Sequence, residues 1–358
     1  MKVMIMAGGT GGHVFPALAV AQVLRAQGHA VVWMGAPESF EARVIPPQGI
    51  PMEFVRVSGL RGKGVAKLLY APLLLTRALR DALTALRKQD PDVVLGMGGF
   101  AAGPGGVAAW LTRRPLVIHE QNAAAGLTNR LLARIATRVL EAFPGSFRKA
   151  LTVGNPVRAG FAELPPPEQR IQHSGPARVL VIGGSQGARA LNERVPQALA
   201  LIPDAQRLEV RHQAGRTLEV AQQAYAQAGV KASVEAFISD MPAAYAWADL
   251  VVCRAGASTV AELAAAGSAA LLVPFPAAVD DHQTRNGEFL VRAGAALLVQ
   301  ERDMNAEKLA DLLRELTGDR QRLVQMAQAA RRCASPDSVH RIADECLTCA
   351  RNRIGSRP

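Results

Sequence analysis

Short aliphatic runs alternate along the chain with longer Ala- and Leu-rich segments. Four of these runs are followed at once by a glycine-containing loop; they are residues 3–7, 93–95, 179–182 and 250–253. Short, continuously apolar runs are typical of strands that are covered on both faces, and the segments between them are long enough to form helices. The pattern therefore predicts an α/β fold with doubly wound parallel sheets.

Two proline-containing segments divide this pattern into halves, and each half begins with its own strand, glycine loop and helix. The segments are residues 164–168 and 173–176, just before the strand predicted at residue 178. We expect one domain at residues 1–163, a linker at 164–177 and a second domain at 178–336, with a cleft between the domains. A length of 358 residues agrees with two domains, because single cores stop growing beyond roughly 250–300 residues.

Composition narrows the class to water-soluble cytoplasmic proteins. The sequence is 49% hydrophobic but 4% aromatic, which predicts an aliphatic core and excludes a disordered chain. Four cysteines in a chain of this length exclude a disulfide scaffold. No apolar run reaches the ~18–20 residues of a membrane span, and the first residues do not resemble a signal peptide.

The formal net charge of +11 is concentrated in one half of the chain. Residues 1–156 carry +10, and residues 61–88 alone carry +6 among leucines at helical spacing, with a break near Pro72. Such a segment fits a surface that binds an anionic bilayer, but it also fits a core-packing helix with a solvated basic face. The residues of the candidate membrane surface are Arg61, Lys63, Lys67, Leu68, Leu69, Leu75, Arg77 and Arg80. Nucleic acid is not expected as a partner, because recognition motifs are lacking.

The glycine loops follow the predicted strands at the edge where parallel sheets bind ligands. Residues 8–12 and 183–187 present backbone amides that can bind a phosphate. The first loop lacks the dinucleotide-binding spacing, and the chain lacks a P-loop. His13 could remove a proton from a hydroxyl, or could merely cap a helix. Glu262 forms a candidate capping box with Thr259, or could bind a ribose diol.

Three further motifs carry polar or thiol side chains whose positions indicate their roles. Residues 119–122 (His-Glu-Gln-Asn) follow a predicted strand, and a helix after them is predicted to carry Arg130, Arg134 and Arg138 as one basic stripe. Residues 280–283 (Asp-Asp-His-Gln) are assigned to substrate hydrogen bonding rather than to a metal. Cys346 and Cys349 lack a second cysteine pair at zinc spacing, so we expect them to be reduced and structural.

These motifs occur together, in the same order, in a known family. They include GGTGGHVFP (8–16), SGLRGKG (58–64), HEQN (119–122), GNPVR (154–158) and GGSQG (183–187). On these residues, the chain resembles the MurG family of UDP-N-acetylglucosamine:lipid I N-acetylglucosaminyltransferases, which act in bacterial peptidoglycan synthesis. The resemblance extends over essentially the whole sequence and implies a GT-B fold, with two Rossmann-like domains and a last helix, 337–358, that packs back on the first.

The resemblance also implies the UDP-N-acetylglucosamine site. Ile238 would contact the uracil, Glu262 the ribose and Gln283 the sugar hydroxyls. The diphosphate would be bound by Ser185 and by the turn made of Ala257, Ser258, Thr259, Val260 and Ala261. Thr10, Gly11, Gly12, Asn122 and Arg158 would complete the donor and acceptor sites. The chain departs from the family pattern at Phe100, where relatives often have Tyr, and at Ser258, where they usually have Leu.

The implied reaction is an inverting transfer of N-acetylglucosamine to the muramyl 4-hydroxyl of lipid I, which gives lipid II. His13 is the first candidate for the catalytic base and Glu120 the second, and neither a metal nor an organic cofactor is expected. The expected partners are UDP-N-acetylglucosamine, lipid I, the anionic membrane surface and other cell-wall and division proteins. The chain would be peripheral on the cytoplasmic face of the inner membrane. The alternatives are a diacylglycerol-dependent glycolipid synthase, a hexosamine 2-epimerase and a basic nucleic-acid-binding module.

Overall fold

The structure is a computed structural model that describes residues 1–57, 71–161, 163–184, 186–203 and 208–355. It divides the chain into two compact units. Unit 1 comprises Met1–Arg158 and Pro336–Pro358, and unit 2 comprises Ala159–Ser335. Residues 164–177, which the sequence suggested as a linker, therefore belong to unit 2.

Unit 1 is built on a seven-stranded sheet with the order β3-β2-β1-β4-β5-β6-β7, in which all paired strands are parallel. Its elements up to residue 152 are β1 (Lys2–Met6), α1 (Gly11–Ala26), β2 (Ala30–Gly35), α2 (Phe40–Val44), β3 (Met52–Phe54), α3 (Ala71–Gln89), β4 (Val93–Gly96), α4 (Ala102–Leu111), β5 (Leu116–Glu120), α5 (Leu127–Leu132), β6 (Arg138–Glu141) and β7 (Leu151–Thr152). The strand order reverses between β1 and β4, and doubly wound sheets bind ligands beyond such a point.

Strand β1 shows why this sheet is buried on both faces. Successive side chains of a strand point to opposite faces. Val3 and Ile5 accordingly pack in the core that contains α1, while Met4 and Met6 pack in the core that contains α3 and α4. The continuous apolar run that the sequence shows at this position is therefore required by helices on both sides of the sheet.

Unit 2 repeats the arrangement with a six-stranded parallel sheet of order β10-β9-β8-β11-β12-β13. Its elements are α6 (Pro167–Ile171), β8 (Arg178–Ile182), α7 (Arg189–Ala200), β9 (Glu209–Gln213), α8 (Leu218–Ala228), β10 (Ser233–Glu235), α9 (Met241–Trp247), β11 (Leu250–Cys253), α10 (Ala257–Ala266), β12 (Ala269–Leu272), α11 (His282–Arg292), β13 (Ala296–Leu298), α12 (Ala306–Thr317) and α13 (Arg320–Arg332). The order reverses between β8 and β11.

The short helix α6 fixes the first proline-containing segment, residues 164–168, to unit 2. The Arg170 guanidinium donates hydrogen bonds to the carbonyl of Tyr245, at the end of α9, and to those of Ala266 and Gly267, at the end of α10. A cation at the C-terminus of a helix stabilises the carbonyls that lack an intrahelical partner. This segment is therefore an ordered part of unit 2.

The last helix, α14 (Ser338–Gly355), belongs to unit 1 although it follows unit 2 in the sequence. Ile342 and Cys346 are buried in the same core as α1, and the Ser338 hydroxyl donates to the Asn155 carbonyl over 3.1 Å. Cys346 and Cys349 are free thiols, and burial raises the pKa of each. Among the described residues, no helix is both long and apolar enough to cross a membrane.

The predicted basic stripe on one helix is wrong. Helix α5 ends at Leu132, and Arg138 is the first residue of β6, where it forms an ion pair with Glu345 of α14 at 2.8 Å. The chain leaves the helix because the Thr137 amide donates to the Leu116 carbonyl and so begins the pairing of β6 with β5. Regular spacing of arginines along a sequence does not by itself predict a helix.

Candidate functional site

Two glycine loops meet at the point of unit 1 where the strand order reverses. Gly99 has φ +88°, and a Cβ atom there would lie 2.5 Å from the Gly8 carbonyl oxygen, so only glycine permits this approach of the two backbones. The buried carboxylate of Glu41 holds the first loop, since it accepts hydrogen bonds from the amides of Gly9 (3.0 Å) and Ala36 (3.1 Å). Sequence reasoning missed Glu41, because it lies in the short helix α2, away from every motif.

His13 lies in the first turn of α1 and is half-buried. Its Nδ1 atom is 3.0 Å from Oε1 of Gln121, whose Nε2 atom donates to the Met97 carbonyl over 2.9 Å. The N-cap position of α1 belongs to Thr10, so His13 does not cap the helix. The structure thus brings together the first glycine loop, with Thr10, Gly11 and Gly12, and the His-Glu-Gln-Asn motif.

Glu120 is buried, with 2% of its surface exposed. One carboxylate oxygen accepts from the backbone amide (3.0 Å) and side-chain amide (3.2 Å) of Asn122; the other accepts from Asn129 (2.9 Å) and the Gly126 amide (3.2 Å). These four donors fix the side chain in place and order the loop after β5. These hydrogen bonds hold Asn122 against Glu120, and the backbone carbonyl of Asn122 accepts a hydrogen bond from the Ser146 hydroxyl over 3.0 Å.

His119 directly precedes Glu120 in the sequence and is fully buried. Burial lowers its pKa to about 4, because the charged imidazolium is poorly solvated inside the protein. The neutral ring donates from Nε2 to the Gly154 carbonyl over 2.9 Å. This bond ties β5 to the segment that leads to Arg158, an exposed residue at the end of the first segment of unit 1.

In unit 2, the loop after β8 is packed against a second turn. Gly215 has φ +65°, and a Cβ atom there would lie 2.4 Å from the Gly184 carbonyl oxygen. The neighbouring Asn192 side chain donates to the carbonyls of Ala214 (3.0 Å) and Thr217 (3.1 Å). Ser185, the predicted phosphate ligand of this loop, lies outside the described residues.

The turn that precedes α10 corrects the capping-box interpretation. The N-cap residue of α10 is Gly256, so Thr259 and Glu262 lie inside the helix and cannot form that box. Glycine has no side chain with which to bind the amides of the first turn. The Ser258 hydroxyl is buried there and has no hydrogen-bond partner among the residues that the structure describes. Glu262 lies 3.5 Å from the Tyr245 hydroxyl, which donates to its carboxylate.

Two more predicted site residues lie in unit 2. Ile238 is buried, and Gln283, in the first turn of α11, accepts a hydrogen bond from the Phe275 amide over 2.9 Å. This contact orients the Gln283 side-chain NH2 group away from Phe275. The preceding Asp280 and Asp281 have φ of 53° and 49°, a strained conformation for residues with side chains. No cluster of potential metal ligands occurs among the described residues.

Part of the candidate membrane surface can be examined. Arg61, Lys63, Lys67, Leu68 and Leu69 lie outside the described residues, whereas Leu75, Arg77 and Arg80 are exposed on α3. The same helix buries Ala78, Ala82 and Leu86, so it is also a core-packing helix. Sequence reasoning missed exposed apolar residues on the neighbouring helices α4 and α5; they are Trp110 (53% exposed), Leu111, Leu127 and Leu131.

Comparison with known proteins identifies the family. The glycosyltransferase family 28 N-terminal domain matches residues 3–141, and the corresponding C-terminal domain matches residues 178–342. The UDP-N-acetylglucosamine–N-acetylmuramyl-(pentapeptide) pyrophosphoryl-undecaprenol N-acetylglucosamine transferase of Marinobacter nauticus is 57% identical over 98% of both chains.

Two solved structures extend the comparison. The crystal structure of Acinetobacter baumannii MurG is 42% identical, covers 97% of this chain and 99% of its own, and superposes with a TM-score of 0.87. A putative UDP-N-acetylglucosamine 2-epimerase from Listeria monocytogenes, at 15% identity and a TM-score of 0.66, covers 100% of this chain and 98% of its own, and shares the fold alone. The predicted α/β architecture of two Rossmann-like GT-B domains is confirmed, and the chain belongs to glycosyltransferase family 28, in its MurG family of N-acetylglucosamine transferases.

Proposed function

We propose that the protein transfers N-acetylglucosamine from UDP-N-acetylglucosamine to the muramyl 4-hydroxyl of lipid I, with inversion at the anomeric carbon, and so forms lipid II. The observation that carries this proposal is the 57% identity, over 98% of both chains, with a relative named for this transfer. The described glycine loops support it. In each unit they follow the strands at which the strand order of the sheet reverses, where doubly wound sheets bind ligands.

Unit 2 binds the donor in this proposal. The first turn of α10 has backbone N–H groups that lack intrahelical acceptors, and its N-cap, Gly256, has no side chain that could bind them in place of an anion. The diphosphate of the donor would accept from these amides and from the Ser258 hydroxyl, with Ser185 as a further ligand. Glu262 would bind the ribose, Ile238 the uracil and Gln283 the sugar.

His13 is the catalytic base in this proposal, and Glu120 is a structural residue. Both carboxylate oxygens of Glu120 already accept hydrogen bonds from within its own loop, so they are occupied by the contacts that order residues 121–126. Nδ1 of His13 is hydrogen-bonded to Gln121, which leaves Nε2 as the atom that takes the proton of the acceptor hydroxyl. Backbone amides would stabilise the departing UDP electrostatically.

The described face of α3, α4 and α5 supports a peripheral location on an anionic membrane. Exposed apolar side chains on these helices, such as Leu75 and Trp110, accompany exposed arginines. The arginines are Arg77, Arg80, Arg113, Arg130 and Arg134. On a membrane-binding surface, apolar side chains enter the boundary between the headgroups and acyl chains of the bilayer, and the cationic side chains beside them bind anionic headgroups. The acceptor is itself anchored in a membrane by its undecaprenyl chain, so a surface of this kind would bring the enzyme to its substrate.

The test is a transfer assay with labelled UDP-N-acetylglucosamine and a lipid I analogue, in which both UDP release and labelled lipid are measured. We expect label in the lipid and one UDP released per sugar transferred. A parallel reaction with diacylglycerol as acceptor, and one without acceptor that is examined for a 2-epimer, separate the two rival enzymes. Donor binding without transfer to the lipid I analogue would disprove the proposed function.

A further inference from the structure

The side chain of Gln121 connects His13 to the backbone of a neighbouring strand end. Gln121 follows β5 and is 1% exposed, Met97 follows β4, and His13 lies in the first turn of α1. The Gln121 Nε2 atom is 2.9 Å from the Met97 carbonyl oxygen, and its Oε1 atom is 3.0 Å from His13 Nδ1. Three segments that leave or enter the sheet at the same edge are thus joined through one buried amide.

The Met97 carbonyl determines which way this amide is oriented. A carbonyl oxygen only accepts hydrogen bonds, so the NH2 group of Gln121 must face Met97. The acceptor end, Oε1, must then face His13, and Nδ1 of the imidazole must carry the hydrogen. In the neutral ring, Nε2 is consequently unprotonated and has the lone pair that a base requires.

Gly98 allows the imidazole to occupy this position. It has φ +95°, and a Cβ atom there would lie 2.9 Å from His13 Nδ1, so a side chain at this residue would displace the ring. The titratable groups beside the ring do not compete for its proton. His119 is buried with its pKa lowered to about 4, and the oxygens of Glu120 bind Asn122, Gly126 and Asn129.

We propose that Gln121 is a positioning residue that holds His13 in the Nδ1–H tautomer, so that Nε2 accepts the proton from the acceptor hydroxyl. The role of the tautomer in catalysis rests on the proposed function, whereas the tautomer itself is a property of the free protein. In the chemical step, the hydroxyl oxygen forms a bond to the anomeric carbon, the bond to UDP breaks, and the hydroxyl proton moves to Nε2. A neutral amide fixes the tautomer but stabilises the imidazolium less than a carboxylate would, because the amide has no negative charge.

The first experiment measures the tautomer directly. Protein with 15N-labelled histidine is examined by a proton–nitrogen spectrum that reports couplings across the ring, and His13→Asn assigns the signal. We expect the Nδ1–H form of His13 in the full chain and a mixture of both tautomers in Gln121→Met, which preserves the side-chain shape. An Nε2–H form in the unmodified protein, or an unchanged spectrum in Gln121→Met, would overturn the proposal.

The second experiment measures catalysis. Gln121→Met should lower kcat about 10-fold, the order expected for one lost hydrogen bond, while the Kd for UDP-N-acetylglucosamine stays the same. Gln121→Glu places an anion beside Nδ1 and favours the imidazolium, so the acidic limb of the kcat/KM profile should move up by about one pH unit. The exposed Gln22→Met, on the same helix as His13, is the matched control, and chemical denaturation of each variant reports folding.

The outcomes separate this proposal from the proposed function. If the unmodified protein binds the donor but transfers no sugar, the function fails while the spectrum still reports the tautomer. If transfer proceeds normally and Gln121→Met, folded as the control is, keeps both kcat and the pH profile, the positioning role is disproved and the function stands.

Discussion

The two units have the same core topology but use the ends of their strands differently. In unit 1 the polar groups that follow β1, β2 and β5 are hydrogen-bonded to one another: His13 to Gln121, Glu120 to Asn122 and Asn129, and Glu41 to Gly9. In unit 2, α10 begins at a glycine, and the Ser258 hydroxyl is buried without a partner among the described residues. The same fold thus holds a preorganised set of side chains in one unit and a turn suited to an anion in the other.

This comparison predicts that changes in unit 1 lower the rate of transfer without weakening donor binding. His13→Asn should reduce kcat by roughly 10²–10⁴-fold, because it removes the proposed general base, and should leave the Kd for UDP-N-acetylglucosamine unchanged. Steady-state transfer and calorimetric titration of the donor measure the two quantities. Near-normal turnover in a folded variant would assign the base to another group.

Substitutions at the start of α10 should, in contrast, act mainly on the affinity for the donor. Gly256→Asp places a carboxylate where the diphosphate would bind, and should weaken donor binding by about 10²-fold through repulsion and loss of amide hydrogen bonds. The helix itself should be slightly more stable, since Asp is a better N-cap than Gly. Gly256→Ala, which adds a Cβ atom with no closer described contact than the Thr259 hydroxyl at 3.7 Å, separates charge from shape. Equal affinities for both variants would place the diphosphate elsewhere.

Neutralising the exposed basic face of unit 1 should change neither kcat in detergent nor the affinity for the donor. Arg77→Gln with Arg80→Gln should weaken binding to vesicles that contain anionic lipid by roughly 30-fold, since each basic residue near such a surface contributes about 1 kcal/mol. Lys231→Gln with Arg302→Gln removes the same charge from exposed positions of unit 2 and should leave vesicle binding unchanged. Flotation assays measure both pairs. An equal loss in the two pairs would indicate a general effect of net charge.

Each unit also contains a buried neutral histidine that should make its stability dependent on pH. Burial lowers the pKa of His119 to about 4 and that of His212 to about 3, from about 6.5. Below pH 6.5 the unfolded chain binds protons that the native protein does not, so the free energy of unfolding should fall by about 1.4 kcal/mol per pH unit for each residue, down to its native pKa. Denaturation between pH 7 and pH 4 should show a smaller slope for His119→Gln and for His212→Gln than for the exposed His340→Gln. Equal slopes would contradict the prediction.

The smallest expected effect concerns Ser258. Ser258→Ala should weaken donor binding by about 5–10-fold, because it removes the hydroxyl proposed to donate to the diphosphate. The free energy of unfolding should stay the same or rise, since the variant no longer buries that hydroxyl. Unchanged donor affinity in Ser258→Ala would show that the hydroxyl does not bind the ligand.

The sequence predicted well those features that depend on a regular pattern. Apolar runs such as 179–182 marked strands, because a strand covered on both faces leaves a continuous hydrophobic signal. The glycine loops were predictable for a different reason: only glycine permits the backbone contact between Gly8 and Gly99, so the residue type itself marks the loop.

The failures concern features that depend on tertiary contacts. Glu41 and Gln121 owe their roles to partners distant in the sequence, and no spacing rule reveals a hydrogen bond across 108 positions, as between His13 and Gln121. The capping box at Thr259 was wrong because Gly256, three residues earlier, already begins the helix. Trp110 was overlooked because a single exposed aromatic residue becomes informative only when the neighbouring helices are known.

The place of α14 in unit 1 has a consequence for the synthesis of the protein. The core around α1 requires Ile342 and Cys346, which leave the ribosome only after all of unit 2 has been made. At about 5–20 residues per second, the intervening unit takes roughly 10–35 s to translate. During that time the nascent unit 1 exposes the apolar face that α14 will cover. A truncation that removes α14 should consequently yield an aggregating chain rather than a shorter enzyme.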